Sequence, residues 1–196
     1  EAVGTDVLFV PSAQELYPRD FATFVDVDDL GSSFEGAYRP RHFRGVTTVV
    51  AKLLNIVAPD VLVLGEKDAQ QAAIVRRMIA DLNAPVRVET VETVREADGL
   101  ALSSRNRYLD ETQRARAASL YRALTVARDA LAEDRSKEDA IARGVAALDP
   151  TATLDYLELV DPAAFTTLER PNGPALLVAA ARFGPTRLID NVWVNR

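Results

Sequence analysis

The sequence predicts an α/β protein: part of a doubly wound parallel sheet, then a smaller α+β portion with helices and a small antiparallel sheet. Three observations carry that reading. Residues 61 to 64 form a wholly apolar, branched run stopped by Gly65, a helical stripe starts at once, and a second strand-like run follows at residues 86 to 91. A β-helix-β unit with a short strand-to-helix turn places both strands in one parallel sheet, because such crossovers are right-handed.

From the start, residues 7 to 10 read as a buried strand closed by Pro11, and residues 21 to 27 as a second short extended segment. Val46, Val49, Val50, Leu53, Leu54 and Val57 then fall on one stripe of an amphipathic helix, which Pro59 ends. The apolar run at 61 to 64 is expected to be covered on both faces. Asp68 and Gln71 stand at capping-box spacing before the stripe Ile74, Met78, Ile79 and Leu82. After Val94 a loop spans residues 95 to 107. Asp110 with Gln113 opens a helix to about residue 132, and Ser136 with Asp139 opens another to about residue 148. Residues 154 to 160, 175 to 182 and 187 to 194, separated by Pro and Gly turns, read as the antiparallel sheet. The change of character at Val94 sets the expected domains at 1–93 and 94–196.

Composition narrows the function. With 196 residues, 23 Lys+Arg and 29 Asp+Glu, the net charge is −6 and no stretch forms a long basic run. That argues against a nucleic-acid surface, whose affinity comes from displacing phosphate counterions. No cysteine is present, which excludes disulfides, thiolate metal sites and cysteine nucleophiles, and the single histidine, His42, excludes a two-histidine metal site. No metal-ligand set is expected from these residues. No apolar run of 18 residues suggests a membrane span, and the cytoplasm is the expected location.

The nine glycines never form GxG or a Walker loop. The strongest constellation is Gly65-Glu66-Lys67-Asp68 with Gln70 and Gln71, at the carboxyl end of a parallel strand, where open α/β sheets bind ligands against free helix amides. Lys67 can meet phosphate oxygens, and Asp68 and Gln71 can bind hydroxyls or amides. A plain polar turn with a capping box accounts for the same residues. The second candidate, Leu102-Ser103-Ser104-Arg105-Asn106, offers hydroxyls and a guanidinium fork to a phosphate, or is a polar interdomain loop. Arg39 and His42 sit in a cationic patch that could bind an anion, though a lone histidine at a helix start also serves capping or packing. Tyr17 reads as a packed loop aromatic or a ligand contact, and the charges from Arg114 to Arg135 as a solvated helix face.

Taken together, Glu35-Gly36, Arg39-Pro40, His42-Phe43, Gly65-Glu66-Lys67-Asp68 with Gln70-Gln71, Thr93-Val94-Arg95-Glu96 and the residues from Asp98 to Asn106 resemble the pantothenate synthetases, the pantoate–β-alanine ligases. The resemblance runs from about Val7 to Asn191. It implies an ATP- and Mg2+-dependent ligase, usually a cytoplasmic homodimer, with a Rossmann-like first domain and a smaller second domain closing over ATP. Pantoate and β-alanine are joined through a pantoyl adenylate, releasing AMP and pyrophosphate. By matching position, Gly65, Glu66, Lys67 and Asp68 bind ATP, with Lys67 on the phosphates and Asp68 near the ribose. Gln71 binds pantoate, Val94 offers backbone contacts to adenine, and Leu102, Ser103, Ser104 and Arg105 form a mobile phosphate loop. Ser103 and Arg105, with Lys67, carry the catalytic charge stabilisation. Two departures stand out. Ala69 replaces the usual Tyr, and the family's two-histidine HxGH motif and a further pantoate-binding Gln have no counterpart. Little turnover is therefore expected of this chain alone, which reads as a fragment lacking the family's N-terminal segment or as one half of a split enzyme that associates with such a segment; a non-catalytic ATP- or pantoate-binding module is the alternative.

Overall fold

A computed structural model describes residues 4–195. Two short helices, α1 (Ala13–Leu16) and α2 (Glu35–Tyr38), precede α3 (His42–Val57), which begins four residues before the expected stripe and ends where Ala58 turns left-handed ahead of Pro59. β1 (Val61–Gly65) passes through a single 3-10 turn (Glu66–Asp68) into α4 (Ala69–Asp81), and β2 (Arg87–Val91) returns parallel to β1. A second 3-10 turn (Ser104–Tyr108) occupies the end of the expected loop. The helix expected up to residue 132 divides at Ala118 into α5 (Glu111–Ala117) and α6 (Ser119–Ala132), with the Asp110–Gln113 capping box formed. Next comes α7 (Lys137–Ala147), N-capped by Ser136. The chain closes with β3 (Thr153–Val160), β4 (Ala175–Phe183) and β5 (Thr186–Asn195), antiparallel in the order β3-β4-β5.

Three expectations need correction. Residues 7 to 10 form no strand, and Val7 is 84% exposed. A strand exists only by pairing, and among the described residues β1 and β2 pair with each other alone. Residues 21 to 27 likewise join no ladder. Val25 is instead pinned to α3, its N–H donating to Thr48 Oγ1 and its carbonyl accepting from Thr47 Oγ1. β1 is covered on one face only: Leu62 and Leu64 pack with α3 and α4, whereas Val63 is 55% exposed.

Two apolar cores position the rest. The larger packs Leu120, Leu124 and Leu131 of α6 against Leu177, Ala179 and Ala181 of β4. The smaller, around Val160, Phe165, Leu176 and Val178, receives Ala73 of α4 and Phe34, and so joins the sheet to the first half of the chain. Strand β3 carries a bulge at Asp155, between Leu154 and Tyr156. Regular alternation would send adjacent side chains to opposite faces; the bulge lets both Asp155 and Tyr156 reach the same buried charge network. Gly99, at φ +90°, lies where an added Cβ would overlap the Tyr121 ring. Only glycine suits both demands.

Candidate active site

The 3-10 turn after β1 does not form the expected capping box. Asp68 stands directly before α4 with a non-helical backbone, at φ −96° and ψ 57°, but makes no side-chain cap bond. The motif's two glutamines have separate tasks. Gln70 turns inward, accepting from the Glu35 N–H and donating to the Leu30 and Ser33 carbonyls, so it braces the loop before α2. Gln71 faces the cleft.

That cleft lies between the Glu66–Asp68 turn, the residues around Ser104 and the middle of β5. A space of about 500 Å³ is lined by Arg39, Lys67, Asp68, Ser103, Ser104, Arg105, Leu188 and Ile189. An adjoining shallow hollow shares Arg39, Lys67 and Asp68 and adds Glu35, His42, Gln71, Tyr156, Asp190 and Asn191. The structure thus brings together Lys67, Asp68, Gln71, Ser103, Ser104, Arg105, Arg39 and His42. Gly65 stands at the strand end with open space before it, as an approaching ligand would need. The Glu66 side chain turns away, accepting from Thr90 Oγ1 and Trp193 Nε1. Val94, Leu102 and Tyr17 do not line the cleft. The Val94 carbonyl accepts the Leu102 N–H, closing a hairpin that presents Ser103. Tyr17 packs edge-on to Phe21, at 5.1 Å between ring centres.

Charge in the cleft is lopsided. The carboxylate of Glu35 is met by Arg187 at 2.7 Å and by the Tyr156 hydroxyl at 2.9 Å, and burial beside that carboxylate pushes the Tyr156 phenol well upward. Asp190 is gripped by both arms of Arg95, at 2.7 and 3.0 Å; burial raises its carboxyl against the pull of the guanidinium. With those two acids neutralised, Lys67, Arg39 and Arg105 face only Asp68. A chain of net charge −6 has therefore gathered a cationic cleft. Ser103 caps the second 3-10 turn by accepting the Arg105 N–H, and Arg105 donates to the Arg187 carbonyl, which holds the guanidinium beside β5.

His42 Nε2 lies 2.9 Å from an Arg39 nitrogen. Arginine only donates, so Nε2 accepts and the imidazole is neutral with its proton on Nδ1. Burial, then the charge of Arg39, holds its pKa below the ordinary value. A depressed pKa means that the unfolded chain binds the proton more readily. The stability linked to this group is therefore fully present above the unfolded value of about 6.5 and is lost as pH falls through the lower folded value. Thermal unfolding from pH 7.5 down to 5 should show that slope, and His42→Gln should flatten it.

Sequence reasoning missed Tyr156, Arg187, Asp190 and Asn191, which come from the terminal sheet. Arg114, on the solvated helix face, has a task that reading did not give it: it bonds Glu96 and Asp98 at 2.6 Å each and holds the Asp98 carboxyl below its usual range. Among the described residues no cluster of three or more His, Asp or Glu could hold a metal ion, and no helix is long and apolar enough to cross a membrane.

The family model for pantoate–β-alanine ligase matches residues 1–193. Pantothenate synthetases from Heliobacterium modesticaldum and Pelotomaculum thermopropionicum are each 50% identical, with this chain spanning 70% of either. The crystal structure of pantothenate synthetase from Thermus thermophilus superposes with a TM-score of 0.96 at 46% identity, covering 100% of this chain and 72% of that one. The Francisella tularensis ligase, solved with a β-γ ATP compound and β-alanine, gives a TM-score of 0.76 at 30% identity, covering 98% of this chain and 66% of that one. By sequence and by fold, the chain belongs to the pantoate–β-alanine ligase family.

Proposed function

We propose that the cleft binds ATP and pantoate for an AMP-forming ligation. A pantoate carboxylate oxygen attacks the α-phosphorus, the bond to pyrophosphate breaks, and pyrophosphate leaves with the electron pair. The β-alanine amine then attacks the acyl carbon of the pantoyl adenylate, loses a proton and displaces AMP. The observation that carries this reading is the set of three cations, Lys67, Arg39 and Arg105, around a space that holds one unneutralised acid, Asp68. Charge grows on the departing pyrophosphate, and preset donors aimed there stabilise the transition state more than the ground state. Lys67, Ser103 and Arg105 are those donors. Asp68 takes the ribose, Gln71 the pantoate, and Gly65 and Ser104 border the nucleotide, while the hairpin backbone at Val94 and Leu102, outside the cleft lining, meets the adenine beyond it. The Francisella relative, solved with an ATP compound and β-alanine, supports this choice of substrates.

Mg2+ would arrive on the ATP phosphates rather than in a protein-built cage, since the cleft offers Asp68 alone as an unpaired carboxylate. We place a boundary near Val94 between a nucleotide-binding portion and a lid, in a cytoplasmic homodimer. With one histidine the chain cannot supply an HxGH motif, so alone it turns over little or nothing. AMP and pantothenate formation from Mg-ATP, pantoate and β-alanine tests this, with and without a separately made HxGH-containing segment from a relative. Product only on mixing is expected; AMP released equally from other carboxylic acids would refute the substrate assignment.

A further inference from the structure

We propose that Asn191, backed by the Asp190–Arg95 ion pair, is a positioning residue that sets the Lys67 ammonium opposite the Ser103–Arg105 loop; this rests on the nucleotide reading above. The Asn191 side chain is buried, and its amide nitrogen donates at 2.9 Å to both the Glu66 and Lys67 carbonyls. A side-chain amide has two protons, and both are used on the backbone flanking Lys67. The turn is thereby tied to β5. One residue earlier on β5, Asp190 is 4% exposed and takes both arms of Arg95, which also donates to the Gly99 and Asn191 carbonyls. The Arg95 guanidinium lies 4.0 Å from the centre of the Tyr121 ring. Arg95 opens the hairpin that ends at Ser103, so this second tie fixes the other wall of the cleft to the same strand.

The result is one strand holding both phosphate-facing segments at a set separation. Apolar side chains of similar volume would fill this space at little or no loss of stability, because burying a carboxylate is costly. They would not fix direction. Bidentate and two-carbonyl bonds do, and a cradle for two or three phosphates depends on direction.

The test is titration of this chain with Mg-ATP and, separately, with adenosine, in the wild type, Asn191→Ala and Arg95→Lys. Each variant should bind Mg-ATP about tenfold more weakly, the loss expected for one well-placed charge-assisted bond. Adenosine, which bypasses the phosphate cradle, should bind within twofold of wild type, and Asn191→Ser, which keeps one donor, should recover part of the loss. An equal loss of both ligands in folded variants, or unchanged Mg-ATP affinity, would overturn the proposal. If the wild type binds neither ligand, the nucleotide reading itself falls and takes this inference with it.

Discussion

Lys67→Ala is expected to weaken Mg-ATP binding by about 10- to 100-fold, and to lower turnover by about 10²–10³ once the chain is supplied with its HxGH segment. The ammonium stands at the junction of the two spaces, lining both. No other lysine shares either lining, so none can substitute. Arg105→Ala should produce a loss of similar size, since its fork is fixed by the bond to the Arg187 carbonyl and is spared the entropy of ordering on binding. Gln71→Ala separates the ligands: it should leave Mg-ATP affinity within twofold and weaken pantoate. Calorimetric titration of each ligand into each variant checks all three. Equal ATP affinity in wild type and Lys67→Ala would show that the phosphates lie elsewhere.

Glu35→Ala should destabilise the fold by about 3–5 kcal/mol, the range for removing one partner of a buried ion pair. Glu35 is 6% exposed and is joined to Arg187 across 152 residues of sequence, to Tyr156, and through its own N–H to Gln70. Its loss strands a buried guanidinium with Asp155 as the remaining acid, and removes the acceptor from the Tyr156 hydroxyl. It also cuts the link between the loop before α2 and the terminal sheet. Chemical denaturation with the slope held constant measures the loss. Glu35→Gln, which keeps the shape and the Tyr156 acceptor but not the charge, should fall between. An unchanged midpoint for Glu35→Ala would mean that the network adds no net stability.

The parts of the fold legible in the sequence are those fixed by local rules. The capping box at Asp110, the Ser136 cap, and the β1-turn-α4-β2 unit with its stop at Gly65 need only near neighbours. Residues 7 to 10 show the limit. Their apolar, branched side chains satisfy strand propensity, but propensity without a partner strand gives no strand. Asp68 and Gln71 show another: the spacing for a capping box was present, and a 3-10 turn supplied the helix start instead. Of the candidate site, Lys67, Asp68, Gln71, Ser103 and Arg105 were found because glycine, charge and hydroxyl patterns mark loops at strand ends. Asp190 and Asn191 gave no such mark. They lie within the apolar alternation of β5, and their partners Arg95, Glu66 and Lys67 are 95 to 125 residues away. Polar residues inside an otherwise apolar strand were the one available signal.

The most direct test of the account is a crystal structure of this chain with Mg2+ and a non-hydrolysable ATP analogue. The account predicts phosphates within hydrogen-bond distance of Lys67 Nζ, the Ser103 hydroxyl and the Arg105 guanidinium, with the ribose against Asp68 and the Asn191 bonds to the turn intact. An analogue seated outside the space between the Glu66–Asp68 turn and β5 would contradict it.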